Sequence, residues 1–396
     1  MTIHELVASL EPEINAVRQQ IHENPELGLK EYNTSALIEK ELRAKTHVDR
    51  IEHIGETGLL VEIKGTKPGI AHCIALRGDM DALPIKEDEN HKLRSRTDGI
   101  MHACGHDVHT SILLGAVRVL EHYRNQIAGS ILFFFQPSEE TLQGGKLFAE
   151  SPKIDFHTID GVAALHVTPD LCAGKIGVRY GAILGSSDEL TITVKGKGGH
   201  GAHPDTVIDP ILLASQIVQA LQMLVSRELA ADESGVVSLC SIQGGNAFNI
   251  IPDTVVLKGT IRALDPKVRE HILKRIPEIC KGIAAAGRGD AEVNIKLGPP
   301  PLVSDSQWVD RVKRCGSKLL GHENVIELAH PSMGAEDFAF VMEKAPGVFV
   351  RFGSRSEGGP YGGLHSPHFY CDRKALTTGI LTLAGIALDF FDVDFE

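Results

Sequence analysis

Apolar residues recur at helical spacing from the start of the chain. Ile3, Leu6, Val7, Leu10, Ile14, Val17 and Ile21 line one face of a helix predicted over residues 3–21. Pro25 ends it within His22-Glu23-Asn24-Pro25-Glu26, because the residue before a proline is driven out of the helical region. A second helix is predicted over 33–45. Residues 59–63 read as a strand that turns at 65–69, and 71–77 as a fully buried strand running into Gly78-Asp79-Met80-Asp81. Val108, Ile112, Leu113, Ala116, Val119 and Leu120 restore the helical period over 108–122. Two more short, wholly apolar strands follow. One, 131–135, ends at Gln136-Pro137-Ser138-Glu139-Glu140; the other, 162–165, ends at His166. Apolar strands alternating with helices predict a mainly parallel sheet covered on both faces.

The pattern changes after about residue 182. Residues 189–194 alternate as a half-buried strand does, and 236–242 and 254–262 behave similarly. Between them a helix opens with Asp209 at its N-cap and Pro210 at its first position, with Ile211, Ala214, Ile217, Val218, Leu221 and Leu224 inward. Another helix spans 266–285, interrupted near Pro277, before a strand near 293–295. This reads as two-layer α+β, with one sheet face covered by helices and a free edge or exposed helix suited to dimerisation. Gly298-Pro299-Pro300-Pro301 reads as a hinge. Beyond it come helices at 305–320 and 335–344, a strand at 348–352, a glycine-rich loop at 353–367 containing His365, and a final helix at 373–391. The expected organisation is one α/β domain in two pieces, 1–182 and 297–396, with 183–296 inserted.

Composition narrows the possibilities without fixing the fold. The 396 residues exceed one ordinary core, and 42% hydrophobic with 23% charged residues are those of a soluble globular protein. A net charge of −12 argues against nucleic acid or an anionic membrane as partner, both of which need a basic surface. The first residues lack a basic stretch leading into an apolar run, and no span approaches about eighteen apolar residues. The expected location is therefore the cytoplasm. The 7 cysteines are scattered and never form Cys-x-x-Cys, which fits a reducing compartment without disulfides.

The candidate chemistry centres on residues 99–109, Gly-Ile-Met-His-Ala-Cys-Gly-His-Asp-Val-His. Cys104 and His106 stand two apart, so an extended loop can aim thiolate and imidazole at one ion. Asp79, Asp81, Glu139, Glu140 and His166 follow the ends of apolar strands, where open α/β sheets form ligand crevices. Cys104, His106, Glu140, His166 and His365 are too many ligands for one tetrahedral catalytic ion that keeps an open position. They suit two ions sharing a bridging group and a water. Of the adjacent Glu139 and Glu140, one can ligate while the other serves as general base. Each residue alone also has a plain reading: a solvated Glu-Glu turn, a core histidine at 166, turn caps at Asp79 and Asp81, and incidental histidines at 102, 109, 200 and 203.

As a set, these residues resemble the M20 metallopeptidase family, and within it the amidohydrolase branch of hippurate hydrolases, N-acyl-amino-acid deacylases and plant auxin-conjugate hydrolases. The matching pieces are His22-Glu-Asn-Pro-Glu-Leu27, Arg77-Gly-Asp-Met-Asp-Ala-Leu-Pro84, Met101-His-Ala-Cys-Gly-His-Asp107 and Gln136-Pro-Ser-Glu-Glu140. They continue with Ala164-Leu-His-Val167, Gly198-Gly-His-Gly-Ala-His-Pro204, Asn249-Ile-Ile-Pro-Asp253, Gly334-Ala-Glu-Asp-Phe338 and Leu364-His-Ser-Pro367. The resemblance implies a zinc-exopeptidase-like α/β catalytic domain with an inserted α+β dimerisation, or lid, domain. It assigns Cys104, His106, Glu140, His166 and His365 to a dinuclear site, Glu139 as general base and Asp81 as support behind the ligands. Asp79 stands where other branches carry a metal histidine, and Cys104 replaces a carboxylate used there. His200, with His203 as rival, aligns with a lid histidine that reaches the partner subunit's site in related dimers. Asn249 and Arg262 would hold the substrate carboxylate, for which the guanidinium fork of arginine is suited.

The implied cofactors are two divalent ions, manganese first, with zinc, cobalt or nickel as alternatives. The implied reaction is hydrolysis of the amide of an N-acyl amino acid, a small-molecule substrate, by a homodimer or homotetramer. Rival readings are a di- or tripeptidase, an N-acetyl-diaminopimelate-type deacetylase, a metal-stabilised binding protein, and a thiol hydrolase using Cys104 with His106.

Overall fold

Residues 131–135, Ile-Leu-Phe-Phe-Phe, have no polar member because both faces of their strand are covered. In the computed structural model of the protein, which describes residues 1–395, they lie within the strand Gly129–Gln136. Ile131, Phe133 and Phe135 join a core shared with the helices Ile3–Glu23, His106–His122 and Arg373–Phe390. Phe134 faces the other way, onto Phe148, with ring centroids 5.1 Å apart. The chain divides into two compact units: Met1–Gly181 with Val303–His330 and everything described from Asp337 onward, and Ala182–Leu302 with Pro331–Glu336.

The first unit holds an eight-stranded sheet in the order Arg50–Ile54, Gly58–Lys64, Gly129–Gln136, His72–Asp79, Gly161–Cys172, Gly347–Arg355, Ile176–Val178, Val325–Glu327. Its centre is parallel, as expected. The margins are not: Arg50–Ile54, Gly58–Lys64 and Ile176–Val178 each run antiparallel to the neighbour on their inner side. For the first pair a short connection produces this, since residues 55–57 permit a hairpin whereas a parallel neighbour needs a long crossover.

Two local departures shape the site. The strand expected to end before His166 runs on to Cys172, so His166 is a strand residue. Its neighbour His72–Asp79 pairs with only its first residues, in the register Arg77↔Ala164, so His166 stands level with the end of that neighbour. The helix expected from 108 begins at His106, because Gly105 takes φ +78 and turns the chain into it. A Cβ there would meet Val167 Cγ2 at 2.7 Å, so both conformation and space call for glycine. The helix expected over 335–344 shrinks to Ala339–Met342; Asp337 just before it accepts the Gly145 N–H at 2.7 Å and the Gln136 amide at 2.6 Å.

The second unit is a four-stranded antiparallel sheet, Gly235–Gln243, Thr254–Ala263, Asp188–Lys195, Asp290–Lys296. Leu190, Ile192 and Val194 pack under the helices Pro210–Met223 and Pro266–Ala286, and Glu189 and Lys195 point away. Asp209 caps the first helix as expected, accepting the Ile211 N–H at 2.8 Å. Ile211 itself is outward, 45% exposed; the buried stripe is Leu213, Ala214, Ile217 and Leu221, and Ile211 falls at its margin in the first turn. Pro277 does not interrupt the second helix. Val268, Ile272, Ile276, Cys280 and Ala284 bury one continuous stripe, which outweighs the single hydrogen bond a proline forfeits.

Candidate metal centre

Every expected ligand lies in the first unit. Cys104 is buried in the loop before His106, and its Sγ is 3.3 Å from His166 Nε2. The other ring nitrogen of His166 faces the Val167 carbonyl at 2.7 Å. A carbonyl only accepts, so Nδ1 carries the hydrogen and the Nε2 lone pair points at the thiol. His106 repeats the device: Nδ1 faces Asp81 Oδ1 at 3.2 Å, leaving Nε2 aimed inward, 3.8 Å from Glu140 Oε1 and 3.9 Å from Glu139 Oε2. His365 arrives from a distant loop, pinned by its N–H on the Ala103 carbonyl at 2.9 Å, with Nε2 3.3 Å from Glu140 Oε2.

Two triads result, Cys104–His106–His166 and Cys104–Glu140–His365, each with its ligand atoms within 4.8 Å of one another. Cys104 belongs to both. His106 Nε2 and Glu140 Oε1 are buried with no hydrogen-bond partner among the described residues. Burying such atoms unpaired is costly, so a lone pair on each facing the same small space fits a cation between them.

A model of "Peptidase family M20/M25/M40" matches residues 75–389. The chain belongs to this family. It is 38% identical to the N-acetyl-L-cysteine deacetylase of Bacillus subtilis over 370 residues, 93% of this chain and 86% of that one. It is 37% identical to the IAA-amino acid hydrolase ILR1-like 2 of Arabidopsis thaliana over 378 residues, 94% of this chain and 84% of that one. Among solved structures, a dinuclear metal-binding peptidase of the M20 family from Bacillus subtilis superposes with a TM-score of 0.83 at 31% identity, covering 98% of this chain and 100% of that one. The resemblance read from the motifs is borne out: this is an M20 hydrolase of the amidohydrolase branch.

Within this M20 site a third grouping, Asp79–His106–His109, is also close enough to suggest a metal. It is not one. His109 Nδ1 donates to Asp79 Oδ1 at 2.6 Å and its Nε2 accepts the Val167 N–H at 2.9 Å, so no lone pair is left to ligate. Asp79 also holds the fully buried Arg77 at 2.5 Å. Burial would raise its carboxyl, but Arg77, His106 and His109 hold it well below the usual range. Asp79 is thus spent on neutralising the buried Arg77 and orienting His109.

Asp81 ties the centre together. Its Oδ1 takes the Glu139 N–H at 3.0 Å besides His106, and its Oδ2 takes the Glu140 N–H at 3.0 Å. Sequence reasoning missed Glu31, which is fully buried and accepts the N–H of Ser138, the residue before Glu139, at 2.9 Å. No signal in the sequence marked it. Glu31 is the N-cap of the helix Tyr32–Lys45 yet its side chain makes no capping bond, so the carboxylate is used elsewhere.

His22, from the first motif, is buried between Asp107 and Glu87, each 3.0 Å from one ring nitrogen. Burial alone would lower its pKa; the two carboxylates outweigh that and raise it to about 9. His102, two residues before Cys104, is buried with neither ring nitrogen hydrogen-bonded among the described residues, and burial pushes it down to about 3. It is a neutral core imidazole.

His200, Asn249 and Arg262 belong to the second unit. His200 pairs with Ile250 across the small ladder Gly199–His200 and Ile250–Ile251, and the Gly201 N–H donates to the Asn249 carbonyl at 2.8 Å. His200 and Asn249 are exposed neighbours, and the His203 ring lies 5.3 Å from that of His200. Arg262 lies on the sheet face away from the helices, half-buried, its pKa lowered by burial.

Proposed function

We propose that this M20 hydrolase splits the amide of N-acyl amino acids, with Glu139 as general base and Cys104, His106, Glu140, His166 and His365 holding two divalent ions. The observation that carries the reading is the pair of buried, unpartnered atoms, His106 Nε2 and Glu140 Oε1, beside two triads that share Cys104. Cys104 would be available to either ion. When bound, the ions lower the pKa of a coordinated water and polarise the carbonyl. Glu139 would take a proton from the attacking water as the water oxygen bonds to the carbonyl carbon, then pass it to the amine nitrogen as the C–N bond breaks. A carboxylate and a free amino acid leave.

Manganese is the proposed metal. The mixed sulfur, nitrogen and oxygen set also suits zinc, cobalt and nickel, so reconstitution with each decides the question. His200, or His203 in its place, is assigned the hydrogen bond to the developing oxyanion in a partner copy, and Asn249 and Arg262 the substrate carboxylate. The second unit is assigned the role of lid and dimer interface. Supporting this, Gly235–Gln243 is an edge strand of its sheet, and Ile211, Leu212, Met223 and Ile242 are exposed by 45%, 56%, 50% and 58%. Among the described residues no helix is long and apolar enough to cross a membrane, and all 7 cysteines are free thiols, which suits the proposed cytoplasmic location.

The test is a panel of N-acetyl and N-benzoyl amino acids and dipeptides with the manganese-loaded enzyme, following amine release. Turnover of the N-acyl compounds above the dipeptides is expected, and Glu139→Gln should lose most of it while keeping metal content. Preference for dipeptides makes the protein a peptidase instead, and near-normal turnover in Glu139→Gln removes Glu139 from its role.

A further inference from the structure

The backbone that carries Glu139 and Glu140 is under strain just upstream. Ser138 sits at φ +58, in the left-handed region that a residue with a Cβ seldom enters. Three consecutive N–H groups, of Ser138, Glu139 and Glu140, all end on buried carboxylates: the first on Glu31, the other two on Asp81. Glu31 Oε1 also takes the Leu29 N–H at 3.0 Å, and Leu29 is itself left-handed at φ +60. Glu31 Oε2 accepts the Thr57 hydroxyl at 2.8 Å. One buried side chain thus grips two strained backbone positions, one of them adjacent to the proposed base.

We propose that Glu31 is a positioning residue for the hydrolytic reaction: by binding the Ser138 N–H it holds Ser138 left-handed and so fixes the directions in which Glu139 and Glu140 diverge. This rests on the assignment of Glu139 as base and Glu140 as ligand. Asp81 alone cannot do the work, since it grips the turn only after the strained residue. Nor does the role need a charge. Protonated at Oε2, Glu31 donates to Thr57 Oγ1 and still accepts both N–H groups at Oε1, and glutamine can do the same through its amide.

The experiment uses the full chain loaded with manganese and an N-acetyl amino acid as probe, with manganese affinity measured separately by equilibrium dialysis. Glu31→Ala should lower kcat about 10- to 100-fold, the range for residues that orient ligands, and weaken manganese binding, with KM changed far less. Glu31→Gln should restore both kcat and affinity. In a Ser138→Gly background, where the left-handed conformation needs no external hold, the Glu31→Ala loss should shrink, a coupling that a mere packing defect would not produce. If Glu31→Ala does not fold, Glu31→Asp serves, being too short to reach Ser138. Wild-type kcat in Glu31→Ala or Glu31→Asp overturns the proposal, as does an equal loss in both backgrounds. Glu139→Gln run alongside separates the two readings: turnover lost there but kept in the Glu31 variants removes only the positioning role, and turnover kept in Glu139→Gln removes the base.

Discussion

Asp81 and His106 are joined at 3.2 Å through the imidazole Nδ1, and the same carboxylate receives the backbone N–H groups of Glu139 and Glu140 at 3.0 Å each. One side chain therefore sets the tautomer of a proposed ligand and the direction of the turn that carries the base.

Removing that carboxylate should disturb metal and chemistry together. Asp81→Ala is expected to cost about 10- to 100-fold in metal affinity or turnover, the usual range for a residue that orients ligands. Asp81→Asn should fare little better, because its NH2 would face an N–H donor where an acceptor is required. Metal titration of each variant with parallel turnover checks this, and full metal affinity in Asp81→Asn would contradict it.

Metal loading should release protons. Burial raises the Cys104 thiol above its ordinary value and lowers the His166 imidazole well below its own, so the metal-free pocket holds a neutral thiol beside a neutral ring. A cation must expel the thiol proton on entry, so affinity should fall as pH falls. Titration in weak buffer with a pH indicator reads the release directly. Cys104→Ser should lose only the thiol's share, because against burial nearby carboxylates and the thiol raise His106, and raise His365 to about 10, so each must also give up a proton to ligate. A chelator should abolish turnover while leaving the far-ultraviolet spectrum intact.

His22 should make the fold alkaline-sensitive. Folding raises its pKa from 6.5 to about 9, so the folded state holds the proton more tightly than the unfolded chain. Its contribution is complete below about pH 6.5 and is lost as pH climbs through about 9. The melting-temperature gap between wild type and His22→Ala should narrow across that window, and a constant gap would remove the ion pairs as the cause.

Glu31 should act in a lower window. Burial, with a further push from the Asp81 charge, raises its pKa from 4.5 to about 7. Its contribution is full below about pH 4.5 and lost as pH rises through about 7. Glu31→Gln cannot ionise, so it should gain stability relative to wild type as pH rises through that window. Denaturant melts of both proteins across the window measure this, and a pH-independent difference would show that the carboxyl does not titrate there.

Much of this was legible because local chemistry and pattern agreed. The proline at the first position of the helix capped by Asp209 and the unbroken apolar run at 131–135 each have one strong local reading. Where local rules misled, packing over a longer stretch had won. Pro277 sits inside an unbroken helix because five buried side chains hold its stripe, and His166 stays in a strand because the neighbour Gly347–Arg355 pairs beyond it.

Side-chain chemistry and hydrophobic period are written locally, so they name the residues that could ligate and place Glu140 just past an apolar strand. The tertiary structure decided which lone pairs face inward. Val167 flanks both histidines, its carbonyl turning His166 Nε2 toward Cys104 and its N–H occupying His109 Nε2. It also brought Glu31 to Ser138 across 107 positions of chain. No local pattern carries that pairing, because a hydrogen bond between distant segments exists only once the sheet has set them side by side.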